Sequence, residues 1–392
     1  MIQQAKRMNG IPFSGIRRIM EMATRLEANG KHIIHMEMGR PDFDTPNNVK
    51  EMAKRALDES RVFYTSNYGT IDLRRAISEK LIRDNHLQYD PEKEIIVTAG
   101  VSEGVFDSLF TFLDDGDEIL IPNPTWLNYL LVTRMVGAVP VSYHILRGNR
   151  FQIDIEEIES RITNRTKALV VMSPNNPTGG VLEGSVLERL AEIACEHDLI
   201  VISDEIYEKI IFDGYQHISI AEYPGMKERT IVLNGFSKAY SMTGWRLGYM
   251  AASEQMIREL IKTHQYNATS ASSISQYAGI EALSKTKEAV DHMVLEYRRR
   301  RDYIVKALGA TGKIGVVNPQ GAFYLFADIS GLGMSSEEAA MFLLNKCGVA
   351  AVPGTTFGDC GEGYIRFSYA TDYANIVEAC RRISKGISGL TS

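Results

Sequence analysis

One stretch of the chain, residues 237–248, combines a lysine and an arginine in a setting suited to cofactor chemistry. Lys238 lies among small and aromatic residues, and burial in such a loop lowers the pKa of an amine and makes it a nucleophile able to form a Schiff base. Arg246 offers a rigid fork of donors that suits a phosphate. A single lysine is most often a solvated surface charge, but the neighbours of Lys238 are not those of a surface segment.

A glycine turn at residues 100–104 precedes a predicted helix over 102–113. Exposed backbone N–H groups at the start of a helix favour a phosphate, although a turn of this kind is more often only a turn. The segment is neither G-x-G-x-x-G nor G-x-x-x-x-G-K-[ST]. A nicotinamide dehydrogenase or a P-loop enzyme therefore loses its main support.

Two further polar loops, residues 173–180 and 204–207, also follow predicted strands. Ligands of open α/β sheets bind outside the carboxyl ends of the strands, so we expect these loops and the two described above to converge. Taken alone, Asp204 fits a turn or a helix cap equally well. Trp126 alone fits a core tryptophan better than a ligand.

The elements that must position these loops are short apolar segments alternating with amphipathic helices. This pattern is typical of an α/β fold in which helices cover a mostly parallel sheet, here of seven strands. The predicted strands are 94–98, 118–121, 139–143, 168–172, 199–203, 230–233 and 247–251.

A different pattern follows a long charged helix predicted at 286–308. It contains predicted strands at 313–317, 322–327, 348–352 and 364–368 and a helix at 336–346. We therefore expect a large cofactor-binding domain over residues 45–284. Residues 1–44 and 285–392 are expected to form a smaller α+β domain.

The composition excludes several classes of protein. The 392 residues carry a net charge of −6, 44% are hydrophobic and 23% are charged, which is typical of a globular protein rather than of a nucleic-acid binder. No apolar run is long enough to cross a membrane, and the basic N-terminus lacks the apolar segment of a secretory signal. The four cysteines have no metal-binding spacing, so we expect reduced thiols and a cytoplasmic location.

Together these motifs identify a resemblance to the class I aminotransferases, enzymes of fold type I that use pyridoxal 5′-phosphate (PLP), with the aspartate and aromatic aminotransferases as the nearest group. The resemblance covers essentially the whole chain. It is carried, in order, by Gly39-Arg40-Pro41-Asp42-Phe43, Asn176-Pro177-Thr178-Gly179, Ser203-Asp204-Glu205-Ile206-Tyr207, Ser237-Lys238, Met242-Thr243-Gly244-Trp245-Arg246 and Ile365-Arg366-Phe367-Ser368.

The resemblance implies PLP as the cofactor and no metal ion. It implies that Lys238 forms the Schiff base and then acts as the general base, that Asp204 pairs with the pyridine nitrogen, and that Tyr207 and Asn176 bind the phenolic oxygen. Trp126 is expected to stack on the ring. The phosphate is expected to meet Val101, Ser102, Arg246 and, from a second subunit, Tyr64, which implies a homodimer with shared active sites.

Substrate binding is also implied by the resemblance. Arg366 is expected to hold the α-carboxylate, with Gly39 and Asn176 beside it and with Trp126 and Ile16 lining the pocket. The chain departs from several relatives at Gly235, where they have a phosphate-binding serine. Ser237 is a possible substitute, but it is as easily a loop residue.

The amino donor is less well defined. Some acid-specific relatives carry a cation in the segments that correspond to residues 263–284 and 102–113. Neither segment of this chain contains a lysine or an arginine. The expected pocket residues Ile16, Phe13 and Tyr68 are apolar or aromatic. We therefore expect an L-amino acid with an aromatic or other uncharged side chain, aspartate, or both, with a 2-oxo acid such as 2-oxoglutarate as acceptor. Arg17 or Arg18 is a possible reader of an acidic side chain, although arginines exposed on a helix are the more frequent interpretation.

Two rival interpretations share the cofactor. A PLP-dependent β-lyase, such as a C–S lyase, would use the same fold and most of the same ligands. A PLP-sensing regulator would need a DNA-binding domain, and too few residues precede Gly39 to build one.

Overall fold

The computed structural model describes residues 3–390. Residues 1, 2, 391 and 392, which belong to the predicted small domain, lie outside this range. None of the helices in the described range is both long and apolar enough to cross a membrane. The α-helices are α1 Gly15–Ala28, α2 Asn47–Asp58, α3 Ile71–Asn85, α4 Val101–Phe112, α5 Leu127–Val136, α6 Ile155–Arg161, α7 Gly184–Glu196, α8 Glu254–Asn267, α9 Ser273–Lys285, α10 Lys287–Gly309, α11 Ser336–Phe342 and α12 Tyr373–Ser388.

The strands form three separate sheets. They are β1 Ile34–His35, β2 Ile95–Thr98, β3 Glu118–Asn123, β4 Val139–His144, β5 Thr166–Met172, β6 Ile200–Asp204, β7 Thr230–Gly235, β8 Gly248–Ala251, β9 Tyr324–Asp328, β10 Val349–Ala350, β11 Val352–Pro353 and β12 Tyr364–Ser368. Short 3₁₀ turns occur at Lys6–Met8, Arg147–Asn149, Ile220–Glu222, Thr243–Trp245, Ser330–Leu332, Gly354–Phe357 and Asp359–Gly361.

The largest sheet has seven strands in the order β2-β8-β7-β6-β5-β3-β4. β8 is antiparallel to both of its neighbours, and the other pairs are parallel. The prediction of a mostly parallel seven-stranded sheet is therefore confirmed. Because β2 runs in the same direction as β7, the loops after β2, β3, β5, β6 and β7 all leave the same edge of the sheet.

Both faces of this sheet are buried, which explains why its strands are almost continuously apolar. Successive side chains of a strand point to opposite faces. In β5, Val170 packs into the core on one face, whereas Leu169 and Val171 pack into a second core on the other. This double burial holds the strand ends, and the loops that leave them, in fixed positions.

The remaining sheets are small. β11, β12 and β9 form an antiparallel sheet, and β1 from the N-terminal part of the chain pairs in parallel with β10. The N-terminal segment therefore contacts the C-terminal part of the chain. The long helix predicted at 286–308 corresponds to α10.

Three predictions in the C-terminal region were wrong in detail. The strand predicted at 313–317 is absent, and only Gly315 bridges to Asp328. The guanidinium of Arg147 packs against Gly315 and pairs with Asp328, so it fills the space beside the bridge. The strand predicted at 348–352 is two strands with different partners. The segment predicted as a helix at 336–346 is α-helical only over α11. It then continues as a wider π-helical turn at Leu343–Cys347.

Candidate active site

The glycine turn after β2 leads directly into α4. Gly100 has φ +88°, and a Cβ on it would lie 2.7 Å from a guanidinium nitrogen of Arg246. Glycine therefore lets the arginine lie against the start of the helix. Arg246 donates to the carbonyls of Ala99 and Thr243, at 3.2 and 3.3 Å, and has a left-handed backbone with φ +51°. The turn thus combines N-terminal N–H groups with a cation, which suits a phosphate.

A buried network of charged residues, which the sequence analysis missed, is hydrogen-bonded to this turn. The Glu103 carboxylate accepts from the backbone N–H of Ala99 and lies 2.7 Å from Nδ1 of His264. Burial disfavours the charged form of His264, but Asp107 and Glu103 outweigh it and raise its pKa to about 9. Glu103 and His264 are 161 positions apart in the chain, so no local pattern indicated their contact.

The lysine loop after β7 packs against the same turn. A Cβ on Gly235 would lie 2.8 Å from Cα of Gly248, and one on Gly248 would lie 2.8 Å from the backbone nitrogen of Val101. Glycines at both positions therefore let the loop approach α4 closely. A serine at position 235 would not fit this approach without movement, which gives a physical reason for the departure noted in the sequence.

The Lys238 amine points into the cavity between these loops. Its Nζ donates to the carbonyl of Gly39 at 2.7 Å. Burial, together with the positive charges of Arg366 and Arg246, lowers the pKa of Lys238 to about 8, although Asp204 acts in the opposite direction. The neutral form, which attacks carbonyl groups, is therefore far more abundant near physiological pH than it is for an exposed lysine.

Asp204 ends β6 and is almost fully buried. Its Oδ2 accepts a hydrogen bond of 2.9 Å from the hydroxyl of Tyr129, and its Oδ1 accepts one of 3.2 Å from the backbone N–H of Ile206. Burial raises the pKa of Asp204 to about 6, and both hydrogen bonds oppose this rise. Tyr129 was not predicted as a site residue. It is 75 positions from Asp204 in the chain, so no local sequence pattern indicated that their side chains meet.

Arg366, in the centre of β12, is a buried cation without an acidic partner. It is 1% exposed, and no carboxylate in the described range forms an ion pair with it. It donates to Oδ1 of Asn176 at 3.1 Å and to the carbonyl of Glu37 at 2.5 Å, whereas its Nε has no partner. A buried guanidinium with a free donor favours an anionic ligand.

Two tyrosines close this side of the cavity. The hydroxyls of Tyr207 and Tyr324 are 2.7 Å apart, and the guanidinium of Arg366 lies 4.4 Å from the centre of the Tyr324 ring. A Cβ on Gly39 would overlap the Tyr324 hydroxyl. Tyr324 is a second residue that the sequence analysis missed.

These groups surround one cavity of about 420 Å³. Of the predicted site residues, those that line it are Ile16, Gly39, Val101, Ser102, Trp126, Asn176, Asp204, Tyr207, Lys238, Arg246 and Arg366. Ser237 lines it as well.

Other expected residues lie elsewhere. Tyr64 is 89% exposed and lines a separate surface pocket. Phe13 and Tyr68 were expected to line the cavity, but neither does. Phe13 is fully exposed, and Tyr68 packs against Arg74. Arg18 pairs with Glu337, and Arg17 is exposed outside the cavity lining.

The fold and the cavity define an α/β enzyme whose site lies at the carboxyl edge of its main sheet. The chain matches the family model described as aminotransferase class I and II over residues 31–383, and it belongs to this family. The prediction of an aminotransferase fold and of a transaminase is therefore confirmed.

Named relatives cover nearly the whole chain. The chain is 42% identical to aromatic-amino-acid aminotransferase 2 of Thermococcus litoralis and 44% identical to an aspartate aminotransferase of Pyrococcus abyssi, in each case over 95% of both proteins. A structure of the aspartate aminotransferase from Thermus thermophilus with maleate superposes with a TM-score of 0.94 at 38% identity, covering 98% of this chain and 100% of that one.

Proposed function

We propose that this aminotransferase uses PLP bound to Lys238 to move an amino group from an L-amino acid to a 2-oxo acid. One observation carries the proposal. The amine of Lys238, the carboxylate of Asp204 and the guanidinium of Arg366, whose Nε has no hydrogen-bond partner among the described residues, all line the same cavity. In this arrangement a nucleophile, a partner for a ring nitrogen and an anion site are within reach of one small ligand.

The residues of the cavity fit PLP. The glycines at positions 100 and 248 let Arg246 and β8 lie against the start of α4, so the arginine and the first N–H groups of that helix are close enough to meet one phosphate. The depressed pKa of Lys238 suits an amine that binds an aldehyde. Ser102 lies at the phosphate end, and Trp126 lines the wall where a ring would stack.

When bound, PLP supplies an aldehyde that condenses with amines and a ring that accepts the electron pair released at Cα. Asp204 would hold a proton on the ring nitrogen, which would strengthen that ring as an electron acceptor. Asn176 and Tyr207 bind the phenolic oxygen. Nζ of Lys238, once free of the cofactor, would be the base that takes the proton from Cα of the substrate.

Arg366 orients the substrate. Its guanidinium binds the α-carboxylate, with the side chain of Asn176 and the backbone of Gly39 beside it. The bond to Asn176 fixes the plane of the guanidinium, so the Cα–H bond is held in one orientation toward Lys238. The amine of Lys238 is already directed toward this region by its hydrogen bond to Gly39.

The relatives guide the proposed substrates. Aspartate and aromatic amino acids are named for the Pyrococcus and Thermococcus proteins. We propose aspartate, an aromatic amino acid or another uncharged amino acid as donor and 2-oxoglutarate as acceptor, in two successive half-reactions. We also propose a homodimer in which Tyr64 of a second subunit completes the phosphate site. Its exposure in the single chain supports this arrangement.

A single-substrate half-reaction tests the proposal. The purified protein is loaded with PLP, freed of excess cofactor and mixed with aspartate or phenylalanine alone. We expect the cofactor spectrum to become that of pyridoxamine phosphate, with one equivalent of 2-oxo acid per site, and to be restored by 2-oxoglutarate. No half-reaction with either amino acid, together with release of ammonia and pyruvate from an amino acid that carries a leaving group on Cβ, would contradict transamination and indicate a β-lyase.

A further inference from the structure

Four cationic side chains line the active-site cavity, and three of them have partners. Lys238 donates to Gly39, Arg246 to two backbone carbonyls, and Arg366 to Asn176 and Glu37. Arg40, the fourth, is exposed at the mouth and makes no hydrogen bond or ion pair with any residue in the described range 3–390. The guanidinium of Arg40 is therefore unengaged, and it lies beside a cavity whose other cations are proposed to bind a phosphate and a carboxylate.

The backbone around Arg40 is held at several points. The carbonyl of Glu37 accepts from Arg366, and that of Gly39 accepts from Lys238. On the other side, the Asp42 carboxylate accepts two hydrogen bonds, of 2.8 and 2.9 Å, from Arg300. The base of the Arg40 side chain is thus fixed one residue from a contact to the reactive lysine, while its guanidinium stays free to turn.

The charges in the cavity leave one function for this cation. In the proposed function, Arg246 meets a phosphate and Arg366 meets the α-carboxylate. Asp204 is the one carboxyl group among the described lining residues, and its two oxygens are hydrogen-bonded to Tyr129 and Ile206. A substrate with a second carboxylate would bring a negative charge for which Arg40 is the unengaged partner.

The other candidate cations are less suitable. Arg18 is engaged with Glu337, and Arg17 does not line the cavity. Met38 and Ile16 also line the cavity, and they suit an uncharged side chain.

We infer that Arg40 is a specificity-determining residue that binds the side-chain carboxylate of dicarboxylic substrates, an inference that rests on the proposed function. The guanidinium pairs with a carboxylate as a fork of two donors. With an aromatic substrate it turns into solvent, and the ring packs against Met38 and Ile16. One cavity thereby accepts two classes of amino acid.

The test compares Arg40→Gln with Arg17→Gln as the matched control, both as PLP-loaded protein. Binding of two unreactive ligands is measured by calorimetry, with succinate as the dicarboxylate and 3-phenylpropionate as the monocarboxylate. We expect Arg40→Gln to weaken succinate binding roughly 10- to 100-fold, the scale of a hydrogen bond to a charged group. It should leave 3-phenylpropionate binding unchanged. Arg17→Gln should change neither.

Kinetics provide the second measurement. We expect Arg40→Gln to lower kcat/KM for aspartate and 2-oxoglutarate mainly through KM, and to leave that for phenylalanine unchanged. Arg40→Lys should recover part of the loss, because it keeps the charge but not the fork.

Several results would overturn the inference. They are equal losses for both ligands, no loss for succinate, the selective loss appearing in Arg17→Gln instead, or a weaker dimer with unchanged succinate binding. Failure of the proposed function is distinguishable, because the unmodified protein would then show no half-reaction with any amino acid.

Discussion

The hydroxyl of Tyr129 donates a hydrogen bond of 2.9 Å to Oδ2 of Asp204, and both side chains are buried. Because burial alone raises the pKa of this carboxyl, the phenol acts against burial and helps keep Asp204 ionised. Tyr129 therefore positions the group proposed to face the ring nitrogen, and it also sets the charge of that group.

Replacement of Tyr129 by phenylalanine should lower kcat/KM roughly 10- to 100-fold, because it removes a hydrogen bond to a charged group worth about 1.5–3 kcal/mol. Without this donor the pKa of Asp204 rises further, so a larger fraction is protonated at a given pH. The acid limb of the pH profile should therefore move to higher pH. The matched control is Tyr143→Phe, which removes a buried hydroxyl bonded to the carbonyl of Val170. A profile for Tyr129→Phe that matches this control would show that Tyr129 is only structural.

Lys238→Ala should abolish turnover while the protein stays folded and binds PLP without a covalent bond. The loss should exceed the factor of roughly 10²–10⁴ that general-base catalysis alone supplies, because the covalent anchor is lost as well. Single-turnover absorbance measurements check this. Lys262→Ala, at an exposed lysine of α8 paired with Glu259, is the control and should stay active. Turnover near the original rate in Lys238→Ala would refute the assignment.

The pH dependence of cofactor capture follows from the same lysine. Its pKa is lowered from 10.5 to about 8, so the amine is mostly protonated below pH 8 and mostly neutral above it. Only the neutral amine attacks an aldehyde. We therefore expect covalent uptake of PLP by cofactor-free protein to speed up as pH rises through about 8 and then level off. A rate that still increases tenfold per unit above pH 9 would show that the amine has an ordinary pKa.

Arg366→Ala should weaken binding of the α-carboxylate by roughly 2–5 kcal/mol, the usual cost of removing one member of a buried charged pair. The change should appear in KM for every amino acid, and the absorbance of bound PLP should persist. Arg366→Lys should recover part of the affinity. Loss of the cofactor spectrum in the alanine variant, with substrate affinity unchanged where cofactor remains, would reassign Arg366 to the cofactor.

Tyr64→Phe should weaken PLP binding by about 1.5–3 kcal/mol if its hydroxyl reaches the phosphate of a neighbouring subunit. Equilibrium dialysis against the cofactor measures the change. Tyr215→Phe, at another partly exposed tyrosine, should leave the affinity unchanged. Equal affinities for Tyr64→Phe and the original protein would argue against the shared site.

The sequence predicted the main sheet well, because its strands are buried on both faces and stand out as apolar runs. Residues at the carboxyl ends of these strands, such as Asp204 and Lys238, could be placed near each other by topology alone. The geometry agrees with that placement. The roles of the site residues, the division at residues 284 and 285 and the cytoplasmic location stay predictions.

The sequence did not indicate the contacts between residues that are distant in the chain and lie on different elements. Tyr129 looks like any buried tyrosine of an amphipathic helix until β6 places Asp204 beside its hydroxyl. The strand predicted at 313–317 had the right residue types, but Gly315 makes a single bridge and Arg147 packs beside it. Strand pairing depends on the neighbour, which local pattern does not contain.

The most direct test of the account is the site of cofactor attachment. The PLP-loaded protein is reduced with borohydride, which makes the bond between the cofactor and an amine permanent, then digested and analysed by mass spectrometry. We expect one pyridoxyl-phosphate group per chain, on the peptide that contains Lys238. A modification confined to another lysine, or none in protein that still transfers amino groups, would contradict it.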